Sequence, residues 1–526
     1  MVGTYVNCHD NKNQILTVLK KEDKPDMKVK DGKSHLEAIS GKREVILDGS
    51  VIQHVVDHPA FRNSCQTTAA LYDFQAREEN LELMTYETPT KCRANRAWQL
   101  PKSHEDLVKK RKAMTAWAEL HGGFMGRSPD HLANAIAGQV IGLDVFKKHG
   151  EKYAKAYWDY YEYARDNDIF LTYVIINPQA DRSKAWGEQT SENLTAHIVD
   201  EDTTGITIRG AKMLGTSSIM AQEIFVANLQ PLRPGEEDMA VCFAVPLETK
   251  GIKILSRKSY EESAVSPWDN PLSHRFDEND ALIYFDDVKV PWDRGFVYRD
   301  VDMCRAQFHD TPGHISQNYQ AQVRYTVKMK FLLAIARRIT ETIGTINLPP
   351  VVEKLGWMAS QIATAEGLLH GMEISGKQVG EYYVPNKSFL YAAQVYTQDL
   401  YPKFVNEIRE LAGGSLILLP SSAADLGLEQ ISPYLDATQV SAREGDSAYD
   451  RMKLMKLAWD AVGSEFASRH TQYEMFYAGA QFVTAGHCFR TYNWDGADEI
   501  LQHVLEGNDV DWSGHDDTKT RREAAE

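Results

Sequence analysis

Hydrophobic and polar positions along the chain change period twice. From about residue 50 to 165 the apolar positions recur at helical spacing. In EDLVKKRKAMTAWAELHGG (105–123) Leu107, Met114, Trp117 and Leu120 share one stripe, and Gly122-Gly123 stops it. The stretch YAKAYWDYYEYARDND (153–168) carries an aromatic stripe at the same spacing, which reads as core. Between about 166 and 296 the period drops to two. Strands are predicted at 170–176, 194–200, 205–214, 223–230, 239–246, 251–256 and 281–290, punctuated by turns such as RPGEED. From about 300 helical spacing returns, in long amphipathic stretches at 321–343, 352–376, 389–412 and 450–475. In the last of these Met452, Met455, Trp459, Val462 and Phe466 fall on one stripe. The order predicts an α+β chain in three segments: a polar arm and helical domain over 1–165, a β domain over 166–296, and a helical bundle over 297–526.

Composition narrows the function classes. Of 526 residues, 43% are hydrophobic and 25% charged, as in an ordinary globular protein with more than one domain. The net charge of −16 argues against a sequence-independent nucleic-acid binder. The chain has no apolar run of about 18 residues, so no transmembrane helix is expected. The start of the chain lacks the apolar segment of a secretory signal. Six cysteines (Cys8, Cys65, Cys92, Cys242, Cys304, Cys488) are scattered without a CxxC pair, which suits free thiols in a reducing cytoplasm and no metal centre. Neither GxGxxG nor GxxxxGK[ST] occurs, so a dinucleotide would have to lie in a cleft between domains.

Candidate chemistry starts at LTYVIINPQADR (171–182). A buried strand breaks at Asn177-Pro178 and opens into Gln179, Ala180, Asp181 and Arg182, a carboxamide, a carboxylate and a guanidinium at the mouth of a strand. Taken bare, this is ordinary turn chemistry, and Asp181 and Arg182 could fix each other. Thr216-Ser217-Ser218 at the end of a strand is likewise most often a turn, and Gly463 in the last long helix reads equally as a helix contact or as a site of close backbone approach.

Seven stretches in order change that reading: HPAFRNSCQTTAALYD (58–73), GFMGRSPD (123–130), NPQADR (177–182), GAKMLGTSS (210–218), HRFDENDALIYFDDVKVPWDR (274–294), LLPSSAADL (418–426) and YDRMKLMKLAWDAVGSEFASRH (449–470). Together they resemble the oxygenase component of the 4-hydroxyphenylacetate 3-monooxygenase family, two-component flavin-dependent aromatic hydroxylases. The resemblance implies an acyl-CoA-dehydrogenase-like fold of helical domain, β-barrel and helical bundle, assembled as a homotetramer. It implies reduced FAD delivered by diffusion from a separate NAD(P)H:flavin reductase, O2 as co-substrate, and ortho hydroxylation of a small electron-rich aromatic through a flavin C4a-hydroperoxide. Gln179, Ala180, Asp181, Arg182, Thr216, Gly463, Ser464, Glu465 and Phe466 match cofactor-contacting positions, and Ser217 and Ser218 substrate-contacting ones. Phenol-binding members hold the substrate hydroxyl with an Arg and a Tyr of an RxPDY element and a His before the NP turn. Here Arg127 is present, but His131 stands at the Tyr position and Tyr173 at the His position. These three are the expected catalytic and substrate residues, with Arg127 favouring the phenolate and His131 taking its proton. The exchange leaves an N-heteroaromatic acid such as a pyrrole carboxylate as an alternative substrate. An acyl-CoA dehydrogenase or dehydratase-like flavoprotein is a more distant reading.

Overall fold

The computed structural model describes residues 29–178 and 180–508. The arm up to residue 28, with Cys8, and the predicted cofactor contact Gln179 lie outside the described residues.

Period-two segments build two sheets around one core. The larger runs Ser50–Ile52, Glu44–Leu47, Ile252–Ser256, Ala281–Pro291, Gly205–Lys212, His197–Asp202, with Glu44–Leu47 parallel to Ile252–Ser256 and the other neighbours antiparallel. The smaller runs Gly295–Tyr298, Val241–Pro246, Glu223–Val226, Leu171–Val174, the last pair parallel. An isolated bridge between Ile176 and Met213 joins the sheets. Ile206, Ile208, Ile224, Val226, Phe243, Ile254 and Phe285 meet between them. The other face of the smaller sheet presents Phe225, Cys242 and Ala244 to the helix Glu151–Asp166, where Tyr157, Tyr160 and Tyr161 of the aromatic stripe are buried. That double coverage is why Val241–Pro246 reads as a nearly continuous apolar run.

The returning helical period forms Gly313–Thr342, Pro349–Ile374, Lys387–Ala412, Ala448–Val462 and Glu465–Phe476 around Tyr325, Met329, Leu332, Met358, Leu400, Phe404, Met455 and Phe466. Trp117 from the helix His104–Leu120 and Phe124 from the loop after it enter the same core. The helix Pro129–Ile141 is buried almost along its whole length, and at Gly138 an added Cβ would stand 2.6 Å from the Pro312 carbonyl oxygen.

Four features depart from the expected elements. The segment EVILDGSVI forms a hairpin of the large sheet rather than part of the arm or of a helix. Asp48 and Gly49 turn at φ 49° and 74°, the left-handed pair that a two-residue hairpin demands. A further strand, Gly295–Tyr298, spans the expected boundary at residue 296. The predicted helix over 450–475 is two helices. Its chain breaks at Gly463-Ser464, where Ser464 caps the second helix by accepting from the Ala467 amide at 3.1 Å. Trp459 is 39% exposed instead of joining the buried stripe, and its ring covers Gly463 so closely that a Cβ there would lie 2.3 Å away. Leu120, in the last turn of the helix His104–Leu120, is also exposed.

Candidate active site

The double glycine that ends the helix His104–Leu120 sets the site. Gly122 and Gly123 turn at φ 56° and 74°, and an added Cβ on Gly123 would stand 2.6 Å from Lys328. The loop is thereby pressed onto the helix Gly313–Thr342 before Pro129 starts the next helix. Arg127 is left where the N-terminal helices, the sheets and the bundle meet.

Each segment supplies a partner. The Arg127 amide donates to the Glu278 carboxylate, from the loop before Ala281–Pro291. Its guanidinium lies between two aromatic rings, 5.1 Å from the centroid of Tyr173 and 5.3 Å from that of Tyr473. One Nη contacts His131 Nε2, and the other donates to the Tyr477 carbonyl oxygen at 3.5 Å. His131, one turn along the helix Pro129–Ile141, is 2% exposed and stacks on Tyr173 with centroids 5.4 Å apart and planes at 29°. Gln317 Nε2 lies 3.5 Å from His131 Nε2. The structure thus brings Arg127, His131 and Tyr173 into mutual contact.

Electrostatics decide what each can do. A guanidinium only donates, so the His131 nitrogen facing it carries a lone pair. Burial first, then Arg127 and Arg324, push the imidazole well below its ordinary pKa, and His131 is neutral. Around it the charges pair off. Asp280 binds Arg469 through both oxygens (2.7 and 2.9 Å) and also Arg257, while Glu278 accepts from Arg469 at 2.8 Å and Asp277 pairs with Arg257. Glu474 joins Arg324 through both oxygens and Lys328 at 3.0 Å, all three buried. Five cations here face four carboxylates, and Arg127 is the one whose guanidinium touches no carboxylate among the described residues. Burial opposes its charge, but the Tyr173 and Tyr473 oxygens and Glu278 more than compensate and hold its pKa above the ordinary value.

The remaining predicted residues fall into three groups. Thr216 donates to Asp280 at 2.7 Å, and its carbonyl accepts from Thr172, so the 216–218 loop is tied to the Tyr173 strand and to Arg469. Ser217, at φ 66°, donates its amide to the Glu278 carbonyl, and the buried hydroxyls of Ser217 and Ser218 have no protein partner among the described residues. At the NP turn Asn177 is buried. Its Oδ1 accepts from Lys212 and Thr195, both at 2.6 Å, and its Nδ2 is left without a partner. Beyond it Ala180, Asp181 and Arg182 are exposed. Asp181 accepts from Ser183 and lies 3.6 Å from Lys184, so it is not fixed by Arg182. The third group stands apart from Arg127. Gly463 lies under Trp459, Ser464 is a helix cap, Glu465 pairs with Lys258 at 2.7 Å, and Phe466 packs on Phe124 with centroids 5.6 Å apart.

Sequence reading missed Tyr473, Tyr477, Arg469, Gln317 and Glu278. A signal was present for three of them. Arg469, Tyr473 and Tyr477 recur every four residues on one face of the last long helical segment, a polar and aromatic stripe beside the apolar one.

Comparison with known proteins covers most of the chain. The pattern of the family described as 4-hydroxyphenylacetate 3-hydroxylase N terminal matches residues 31–297, and that of its C-terminal counterpart residues 304–506. The oxygenase component of 4-hydroxyphenylacetate 3-monooxygenase from Geobacillus sp. (strain PA-9) is 32% identical over 91% of this chain and 97% of its own. The oxygenase component of 4-nitrophenol 2-monooxygenase from Rhodococcus sp. is 31% identical over 91% and 92%. A crystal structure of a 4-hydroxyphenylacetate 3-monooxygenase oxygenase component complexed with FAD and 4-hydroxyphenylacetate superposes with a TM-score of 0.86 at 29% identity, covering 91% of this chain and 98% of that one.

Proposed function

This chain belongs to the 4-hydroxyphenylacetate 3-hydroxylase family, and from that membership we propose that Arg127 is the anchor of its aromatic substrate. The protein is the oxygenase component of a two-component, FAD-dependent aromatic hydroxylase with the acyl-CoA-dehydrogenase-like fold. A half-buried guanidinium walled by aromatic rings and lacking a carboxylate is the observation that carries the reading. It leaves one positive charge for the oxygen of a bound phenolate.

The residues present suit the flavin. Asn177 Nδ2 at the base of the NP turn and the Ser217 and Ser218 hydroxyls are buried polar groups with no protein partner among the described residues, so each can meet a polar edge of an isoalloxazine. Ala180, Asp181 and Arg182 lie exposed beside that turn and are proposed to hold the cofactor with Thr216. For Gly463, Ser464, Glu465 and Phe466, contact with the cofactor rests on the resemblance. Reduced FAD, when bound, activates O2 for electrophilic oxygen transfer.

The chain's own groups prepare the aromatic ring. A phenol titrates near pKa ~10 in water, and a cation within hydrogen-bond reach lowers that by about 1–3 units. Arg127 thus holds the ring as the electron-rich phenolate. His131, expected to take the phenolic proton, is held well below its ordinary pKa by burial and then by Arg127 and Arg324, which disfavours that part. We assign it instead the orientation of the guanidinium through Nε2, while Tyr173 walls the pair from water.

The test is a substrate screen with the pure chain, an added NADH:flavin reductase and FAD, read by product mass. A phenol is expected to gain one oxygen only when reduced FAD is supplied, with negligible NADH oxidation by this chain alone. Hydroxylation of a pyrrole carboxylate but of no phenol would favour the heteroaromatic acid.

No helix among the described residues is long and apolar enough to cross a membrane. The five described cysteines are free, which fits the proposed reducing cytoplasm. Leu418 (70% exposed), Tyr434 (68%), Phe482 (80%) and Ile500 (70%) lie on the C-terminal surface. We propose that this apolar surface meets further copies in a homotetramer. Sedimentation at micromolar concentration is expected to give four chains, and a monomeric mass would refute the assembly.

A further inference from the structure

Tyr473 is a half-buried residue whose hydroxyl is buried and unbonded among the described residues. Its hydroxyl is sealed from solvent and has no hydrogen-bond partner among the described residues, although a buried Tyr hydroxyl ordinarily finds one. Its ring is surrounded by cations: Arg469 at 5.0 Å, Arg127 at 5.3 Å and Arg324 at 5.5 Å from the centroid. The hydroxyl is seated on Gly126, where an added Cβ would stand 2.4 Å from it. Only a residue without a side chain lets the phenol reach the neighbour of Arg127.

Two of the cations beside the ring are satisfied. Arg324 is bound by Glu474, and Arg469 by Asp280 and Glu278. The guanidinium of the third, Arg127, touches no carboxylate among the described residues. An unpaired donor and an unpaired cation therefore sit side by side, one from the bundle and one from the N-terminal loop. Both requirements are met by one anionic oxygen.

We infer that Tyr473 is a substrate-binding residue, donating a hydrogen bond to the same phenolate oxygen that Arg127 binds, an inference that rests on the phenolate reading of the site above. Burial pushes the Tyr473 hydroxyl up to about 12 despite Arg127 and Arg324, so it stays a protonated donor throughout the neutral range. A donor to the charged form of a ligand lowers that ligand's pKa, in addition to the effect of the guanidinium.

The experiment is a titration of the FAD-loaded protein with 4-nitrophenol, whose phenolate absorbs visibly, in wild type and in Tyr473→Phe. Wild type is expected to bind the probe with its pKa lowered from the free value. In Tyr473→Phe binding should weaken about tenfold and the bound pKa should rise by about one unit, the effect of one hydrogen bond to a charged group. The thermal midpoint should not fall, because the hydroxyl has no hydrogen-bond partner among the described residues. Equal affinity and equal bound pKa in the two proteins would overturn the inference while leaving the phenolate reading intact. Failure of the wild type to bind any phenol would overturn both. A lower midpoint with unchanged binding would assign the hydroxyl to the fold alone.

Discussion

Replacing Arg127 by alanine is expected to weaken binding of a phenolate by at least a hundredfold, read by titration with 4-nitrophenol. The reason is not the number of bonds lost but their charge. A hydrogen bond to a charged group in an enclosed site contributes about 1.5–3 kcal/mol, and the Coulomb attraction of a desolvated pair adds to it. Stability should change far less. The Arg127 guanidinium touches no carboxylate among the described residues and is held by ring faces, a histidine lone pair and a carbonyl oxygen. Its surroundings offset the burial of its charge, since its pKa is held above the ordinary value, so the thermal midpoint of Arg127→Ala should fall only slightly below that of wild type. Unchanged 4-nitrophenol affinity would remove Arg127 from the site, and a collapse of the midpoint would make it a structural cation.

Glu474→Gln should produce the reverse pattern. Glu474 is fully buried and is the carboxylate shared by Arg324 and Lys328, themselves 1% and 0% exposed. Burial opposes its charge, but the two cations outweigh that and hold its carboxyl below the usual range. The amide keeps the shape and removes the charge, leaving two buried cations without a counterion. Breaking such a group costs about 3–5 kcal/mol, seen as a lower urea midpoint and a lower melting temperature. The loss should appear with or without ligand, which separates it from Arg127→Ala. Equal midpoints for Glu474→Gln and wild type would show that solvent reaches this network.

The two residues also mark how far the sequence could be read. The change from helical to alternating period and back was plain, because the covered sheets and the bundle each repeat one pattern over long stretches. The hairpin at 44–52 escaped because its strands have only four and three residues, although Asp48-Gly49 between apolar runs is a strong turn signal. The helix break at 463–464 escaped because one apolar stripe runs nearly unbroken across it. Arg127, His131 and Tyr173 were legible through a resemblance that named their positions. Glu278, Gln317 and Tyr473 were not, since a buried acid, amide or phenol looks in sequence like any surface residue. Only the folded chain shows that 278 and 473 stand beside 127. The lowered pKa of His131, which disfavours the proton-accepting part expected of it, has causes no sequence window displays: burial first, then the guanidinium groups of Arg127 and Arg324.

The parallel pairing of Glu44–Leu47 with Ile252–Ser256 bears on how this protein is made. These partners are separated by about 200 residues, so the early hairpin leaves the ribosome roughly 10–40 s before the strand that completes it, at ordinary rates of synthesis. During that interval Val45 and Leu47, both buried in the finished sheet, have no native strand on that side and present an open apolar edge. Closing so long a loop is also slow. Chain release and chaperone protection, rather than intrinsic stability, are then expected to govern the yield of folded protein. A version shortened to begin after residue 52 would fold without its outer hairpin and expose Ile252–Ser256 as a new adhesive edge.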